Sequence, residues 1–149
     1  MLEEGICGFI GATYNVNVDS GLMVDIGGGS TEFVFYKDRK ICRTYSVQMG
    51  SLSLFANFVS GIIPTKEEYK RIKKYVESQL ESIDSGEAPT QILCGVGGTS
   101  RATCKLSNDY FDLPLANRVI EPHYIKKLLI HCLLKGIDRA VRRLDGMIK

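Results

Sequence analysis

Asp25 and Glu32 bracket the run Ile26-Gly27-Gly28-Gly29-Ser30-Thr31, so two carboxylates, three glycines and two hydroxyls fall within eight consecutive positions. Consecutive glycines can turn successive backbone N–H groups to one side, and without Cβ atoms they leave an anion room to approach. Ser30 and Thr31 add hydroxyl donors. Carboxylates beside a bound phosphate are the oxygen ligands that Mg²⁺ takes, with substrate and water completing its shell. The chemistry these types permit is phosphoryl binding and transfer, in which the ion offsets charge on the phosphoryl oxygens.

Asp25 lies between Val24 and Ile26 at the end of an apolar run. An unpaired carboxylate there carries a heavy desolvation cost, which a cation removes. The run is not a Walker A loop, since GxxxxGK[ST] is absent and a strand pattern follows; nor is it GxGxxG opening a helix. An ordinary hairpin turn is the alternative, because glycine favours the primed turns that match strand twist, and Glu32 can equally be a solvated strand residue. A second cluster, Gly95-Val96-Gly97-Gly98-Thr99, follows another short apolar run from Ile92. Two strand-glycine-hydroxyl units in one chain need a common reason.

The elements that would position these groups follow from periodicity. Leu2, Ile6, Phe9, Ile10 and Tyr14 predict a short helix over residues 2–14, weakened by Gly5, Gly8 and Gly11. Strands are expected at Leu22 to Ile26, Glu32 to Tyr36 and Ile41 to Val47, joined by the glycine run and by the polar turn Lys37-Asp38-Arg39-Lys40, as an antiparallel meander. Leu52, Phe55, Ala56 and Val59 fit a short helix. Thr65 and Glu68 form a T-x-x-E capping box opening a longer one, whose apolar face runs from Tyr69 to Ile83 before Gly86. A strand at Ile92 to Gly95, a helix starting over Arg101 to Leu106, a helix from Glu121 and another after Gly136 complete the reading.

The 149 residues, 44% apolar and 24% charged, suit one globular domain. A net charge of +2 demands neither nucleic acid nor membrane surface. No apolar run reaches the roughly 18 residues of a spanning helix, and Glu3 and Glu4 replace the basic start of a signal peptide, so a cytoplasmic protein binding neither DNA nor membrane is expected. The five cysteines, without any CxxC, are expected to be reduced and mostly buried. His123 and His131 show no ligand spacing.

GLMVDIGGGSTEFVF, SVQMGSLSLF, GIIPTKEEYKRIKKYV and CGVGGTSRA, taken together, resemble successive motifs of the exopolyphosphatase and guanosine pentaphosphate phosphohydrolase family, Ppx/GppA, over residues 3 to about 106. The resemblance implies an α/β fold: a ribonuclease H-like lobe of the actin, Hsp70 and sugar-kinase superfamily, with a mixed sheet, a β-meander and flanking helices. It further implies Mg²⁺-dependent release of terminal orthophosphate from polyphosphate or guanosine pentaphosphate. Asp25 and Glu32 then match the magnesium-associated carboxylates, Gly27, Gly28, Gly29, Ser30 and Thr31 the phosphate loop, and Gly97, Gly98 and Thr99 a second substrate loop. Glu4 matches the glutamate taken as catalytic base, at the family's spacing before Asp25.

Two departures stand out: Gly5 replaces the usual alanine after the glutamate pair, and Ser53 stands where many members carry arginine. The resemblance implies a single domain, 1–149, forming most of a second lobe, with 1–16 an edge helix carrying Glu4 and 17–149 the lobe body. On that reading the first lobe is a partner, a homodimer is possible, and the isolated piece is expected to be inactive. A sensor that binds an alarmone without turnover, and an ATP-binding kinase or ATPase lobe, are the competing readings. Lys70, Arg71, Lys73, Lys74, Lys126, Lys127, Arg139, Arg142 and Arg143 fit either a polyanion track or solvated helix faces.

Overall fold

The computed structural model describes residues 9, 11, 18–84 and 92–135. Numbered in chain order, the elements are β1 (Gly21–Ile26), β2 (Thr31–Lys37), β3 (Lys40–Val47), α1 (Ser51–Phe58), α2 (Lys66–Glu81), β4 (Leu93–Val96), α3 (Gly97–Tyr110) and α4 (Pro122–Lys135). They build a four-stranded sheet in the order β3-β2-β1-β4. β1, β2 and β3 form the expected antiparallel meander, and β4 returns parallel to β1 after a crossover through α1 and α2.

Residues Thr31 to Tyr36 of β2 are all buried, because β2 lies inside the sheet with both faces covered. On one face Val24, Phe33, Phe35, Val47 and Met49 pack with Leu54 of α1 and with Tyr75 and Val76 of α2. On the other Met23, Val34 and Tyr36 pack with Phe9 and Val96. Side chains opposite one another across a ladder share a face, so Asp25 and Glu32 belong to the second face, with Met23 and Val34. Phe9, helical and buried, lies 5.0 Å from the Tyr36 ring and belongs to the same layer. Glu3, Glu4, most of the helix expected over 2–14, and the helix expected after Gly136 lie outside the described residues.

The hairpin between β2 and β3 turns on Asp38 (φ 50) and Arg39 (φ 58), a left-handed pair of the kind that suits strand twist, achieved here without glycine. Asp19 and Ser20 hold it. The Asp38 N–H donates to Ser20 Oγ (3.1 Å), the Arg39 N–H to the Asp19 carbonyl (2.8 Å), and Arg39 Nε to Asp19 Oδ1 (2.9 Å). Just beyond the turn the register shifts: Tyr36 faces Ile41, whereas Phe35 faces Arg43, leaving Cys42 as an extra residue in a bulge.

Three expectations need correction. α3 opens at Gly97, with the glycine cluster as its first turn and not as a loop leading to Arg101. α2 ends at Glu81, before Gly86. The described cysteines are free as expected but not buried: Cys42 is exposed and Cys94, Cys104 and Cys132 are intermediate. Among the described residues no helix is long and apolar enough to cross a membrane.

The capping box is realised in full. Glu68 N–H donates to Thr65 Oγ1 (3.2 Å) while Thr65 N–H donates to Glu68 Oε2 (2.7 Å), and Ser60 gives Glu68 Oε1 both its N–H (2.9 Å) and its hydroxyl (2.7 Å). The Thr65 N–H, then the Ser60 hydroxyl and N–H, hold the Glu68 carboxyl down at about 2 from an ordinary 4.5, against the opposing effect of burial. A depressed carboxylate contributes stability above its unfolded pKa and loses it as pH falls through the folded one. Acid unfolding should therefore show a loss of stability between pH 4.5 and about 2 that Glu68→Gln flattens, measured by denaturant midpoint against pH. Thr65→Ala should cost about 1 kcal/mol at neutral pH.

Candidate active site

The first four N–H groups of a helix have no partner within it. In α1 the glycine run supplies the partners. Gly50 N–H donates to the Gly29 carbonyl (3.0 Å), Ser51 N–H to Gly27 (2.9 Å), and Leu52 and Ser53 N–H both to Gly28 (2.9 and 3.0 Å). The Ser51 and Ser53 hydroxyls add bonds to the Gly27 and Gly29 carbonyls (3.2 and 2.9 Å). All three glycine carbonyls thus face α1, and across the turn Gly27 N–H donates to the Ser30 carbonyl (3.0 Å). The N–H groups of Gly28, Gly29 and Ser30 donate to no carbonyl among the described residues. A peptide plane whose oxygen is fixed on one side holds its N–H on the other.

Gly50 makes this contact possible. Its backbone (φ −77, ψ 163) is open to any residue, but an added Cβ would overlap the Gly28 backbone. The Ser53 hydroxyl closes the latch on Gly29.

Asp25 and Glu32 are directly opposite in the β1–β2 ladder, and Ser46 of β3 is opposite Glu32. With Val96 beside Asp25, one row crosses all four strands: Val96, Asp25, Glu32, Ser46. Glu32 is buried at 8% exposure, and its Oε1 accepts from Ser30 Oγ (2.5 Å) and Ser46 Oγ (2.9 Å). Hence the Ser30 hydroxyl, expected to meet a phosphate, is engaged within the protein. The Thr31 hydroxyl is engaged too: Thr31 is 3% exposed and donates to the Met49 carbonyl (3.0 Å). What the loop offers an anion is main chain.

The second glycine cluster comes to the same place. Gly97 adopts φ +82, a left-handed conformation that favours glycine, and a Cβ there would also overlap Asp25 Oδ1. Thr99 Oγ1 donates to the Ile26 carbonyl (3.2 Å), which ties the first turn of α3 to the end of β1, while Gly98 faces open space. Deeper in this layer burial pushes the Cys94 thiol up, and burial followed by Cys94 pushes the Tyr36 phenol up. The floor beneath the carboxylates is uncharged at neutral pH.

Of the residues singled out in the sequence, the structure brings together Asp25, Glu32, the glycine turn, Gly97 and Thr99; Glu4 lies outside the described residues. Sequence reasoning missed Gly50 and Ser46. For Gly50 the available signal was its place between a strand pattern and a helix pattern; for Ser46 there was none short of a correct strand register.

A mixed sheet of this order, with a glycine turn after its first strand and helices on its flank, defines an actin-like α/β lobe. The chain belongs to the Ppx/GppA phosphatase family, whose model matches residues 2–142. It is similar to the crystal structure of the Aquifex aeolicus Ppx/GppA phosphatase in its type II variant, at 29% identity and a TM-score of 0.64, over 82% of this chain and 38% of that one. A further Aquifex aeolicus family-member structure matches at 28% identity and a TM-score of 0.65, covering 82% and 37%. An exopolyphosphatase from Cytophaga hutchinsonii, at 21% identity and a TM-score of 0.63 over 74% and 37%, shares the fold. The chain spans less than two fifths of the length of these structures. No curated protein sequence matches it.

Gly50→Ala should dislodge the glycine turn from α1, costing about 2 kcal/mol by overpacking. Thermal unfolding of the variant against the parent protein checks this, and Gly61→Ala, at a position with open surroundings, should leave the midpoint within a degree or so of the parent's.

Proposed function

We propose that this chain forms one wall of the active site of a phosphoanhydride hydrolase that releases terminal orthophosphate from inorganic polyphosphate or guanosine pentaphosphate. The observation that carries the reading is the joint placement of two features. A turn whose carbonyls are all held by α1 directs the Gly28, Gly29 and Ser30 amides away from that helix, and two acidic side chains stand opposite each other on the adjoining strands. Family membership supports phosphatase chemistry at such a turn.

The acidic pair suits Mg²⁺. Like charges directly opposite in a ladder destabilise it, and a cation shared by Asp25 and Glu32 reverses the sign of that effect. Both donors are carboxylate oxygens, which suit Mg²⁺ better than zinc. The ion, when bound, would neutralise charge building on the phosphoryl oxygens.

The rest is the work of the chain. Amides of the glycine turn orient the terminal phosphoryl group and stabilise its equatorial oxygens, at no reorganisation cost because α1 already fixes them. Gly97, pressed against Asp25, restricts that carboxylate from the α3 side. Glu4 orients the attacking water and takes its proton, a role that the family resemblance assigns; Phe9, five residues on, packs on the carboxylate-bearing face of the sheet. The opposite wall of the cleft comes from a first lobe, which brings its own phosphate loop.

Orthophosphate release by the full-length protein, assayed with Mg²⁺ across polyphosphate lengths and guanosine pentaphosphate, tests the proposal. Glu4→Gln should lower turnover about 10²–10⁴-fold. Asp25→Asn should raise the Mg²⁺ concentration needed for half-maximal rate. Binding of either compound without release would instead mark a sensor, and binding of ATP alone a kinase-like lobe.

A further inference from the structure

Glu32 spends one oxygen on two hydroxyls: Ser30 from the turn at 2.5 Å and Ser46 from β3 at 2.9 Å both donate to Oε1. Two O–H donors converging on one carboxylate oxygen fix the plane of the group. Ser30 is part of the turn itself. Ser46 is not: it reaches Glu32 from a neighbouring strand, is otherwise solvent-exposed, and its hydroxyl makes no other hydrogen bond among the described residues. Nothing in the packing of β3 calls for a hydroxyl there, since the residues flanking Ser46 in sequence, Tyr45 and Val47, point to the opposite, α1/α2-covered face of the sheet.

We propose that Ser46 is a positioning residue for the divalent cation, holding Glu32 Oε1 so that the remaining oxygen turns toward Asp25. The inference rests on the reading of Asp25 and Glu32 as cation ligands. Groups that orient a metal-bound carboxylate without touching the metal typically contribute about 10–100-fold in affinity or activity. Ser46 should contribute at the lower end, because Ser30 remains.

Calorimetric titration of the full-length protein with Mg²⁺, or with Mn²⁺ in its place, reads this without turnover. Ser46→Ala should weaken cation binding about 10-fold, Ser46→Thr should restore it, and the unfolding temperature without metal should match the parent's. In the phosphate-release assay the Mg²⁺ requirement of Ser46→Ala should rise by the same factor, with the rate at saturating Mg²⁺ preserved. If Glu32→Gln weakens cation binding while Ser46→Ala does not, the role of Ser46 is overturned and the acidic pair stands. Loss in Ser46→Ala that Ser46→Thr fails to restore assigns Ser46 to folding alone and overturns it as well. If Glu32→Gln leaves binding unchanged, the cation site and the role of Ser46 fall together.

Discussion

The grip of the first turn of α1 on the glycine run is the interaction on which the site depends. Helix N-termini commonly bind anions through their own free amides. Here those amides are satisfied by carbonyls of Gly27, Gly28 and Gly29, so the helix acts at one remove. Its partial positive charge favours the orientation of three peptide dipoles, and these in turn present N–H groups on their far side. The arrangement also explains a helix with no fully buried residue: α1 is held as much by its N-terminal hydrogen bonds as by Leu54 in the core.

The sheet separates two tasks. Its α1- and α2-covered face carries the larger aromatic and aliphatic cluster around Phe33 and Phe35. Its other face begins apolar, with Met23, Val34 and Tyr36, and ends in Asp25 and Glu32 at the mouth of the turn. Strand alternation makes this possible, since consecutive residues such as Val24 and Asp25 serve opposite faces. The second glycine cluster completes the mouth because β4 runs parallel to β1, which places the strand ends and the turns after them side by side.

The meander, the capping box and the pairing of Asp25 with Glu32 at a glycine turn were legible because each rests on local rules: alternation, a four-residue cap, a turn residue. The capping box shows the limit of such rules. Thr65 and Glu68 could be read directly, yet the two bonds from Ser60 to Glu68 depend on how residues 60–64 fold back. Ser30 and Thr31 show a second limit, for a hydroxyl in a glycine-rich turn advertises an outward donor while its actual partner is decided by β3 and Met49. Gly50 escaped notice because a glycine with ordinary dihedrals is required only by what lies against it, and that neighbour is 21 to 22 positions earlier in the chain.

The bulge at Cys42 sets the reading frame of β3. Were Cys42 drawn into the ladder and not bulged out, the pairing that starts at Lys37 and Lys40 would bring Tyr45, not Ser46, across from Glu32. It would also rotate the whole strand, turning Tyr45 out of the aromatic cluster and Val47 toward water. The exposed Cys42 is therefore the residue that the ladder steps over: by leaving it unpaired, the bulge keeps Ser46 across from Glu32 while Asp19 and Ser20 fix the hairpin. Side-chain changes at position 42 are cheap on this view, and loss of Cys42 itself would leave a regular ladder with Ser46 still across from Glu32, whereas drawing Cys42 into the pairing would invert the strand from Arg43 onward.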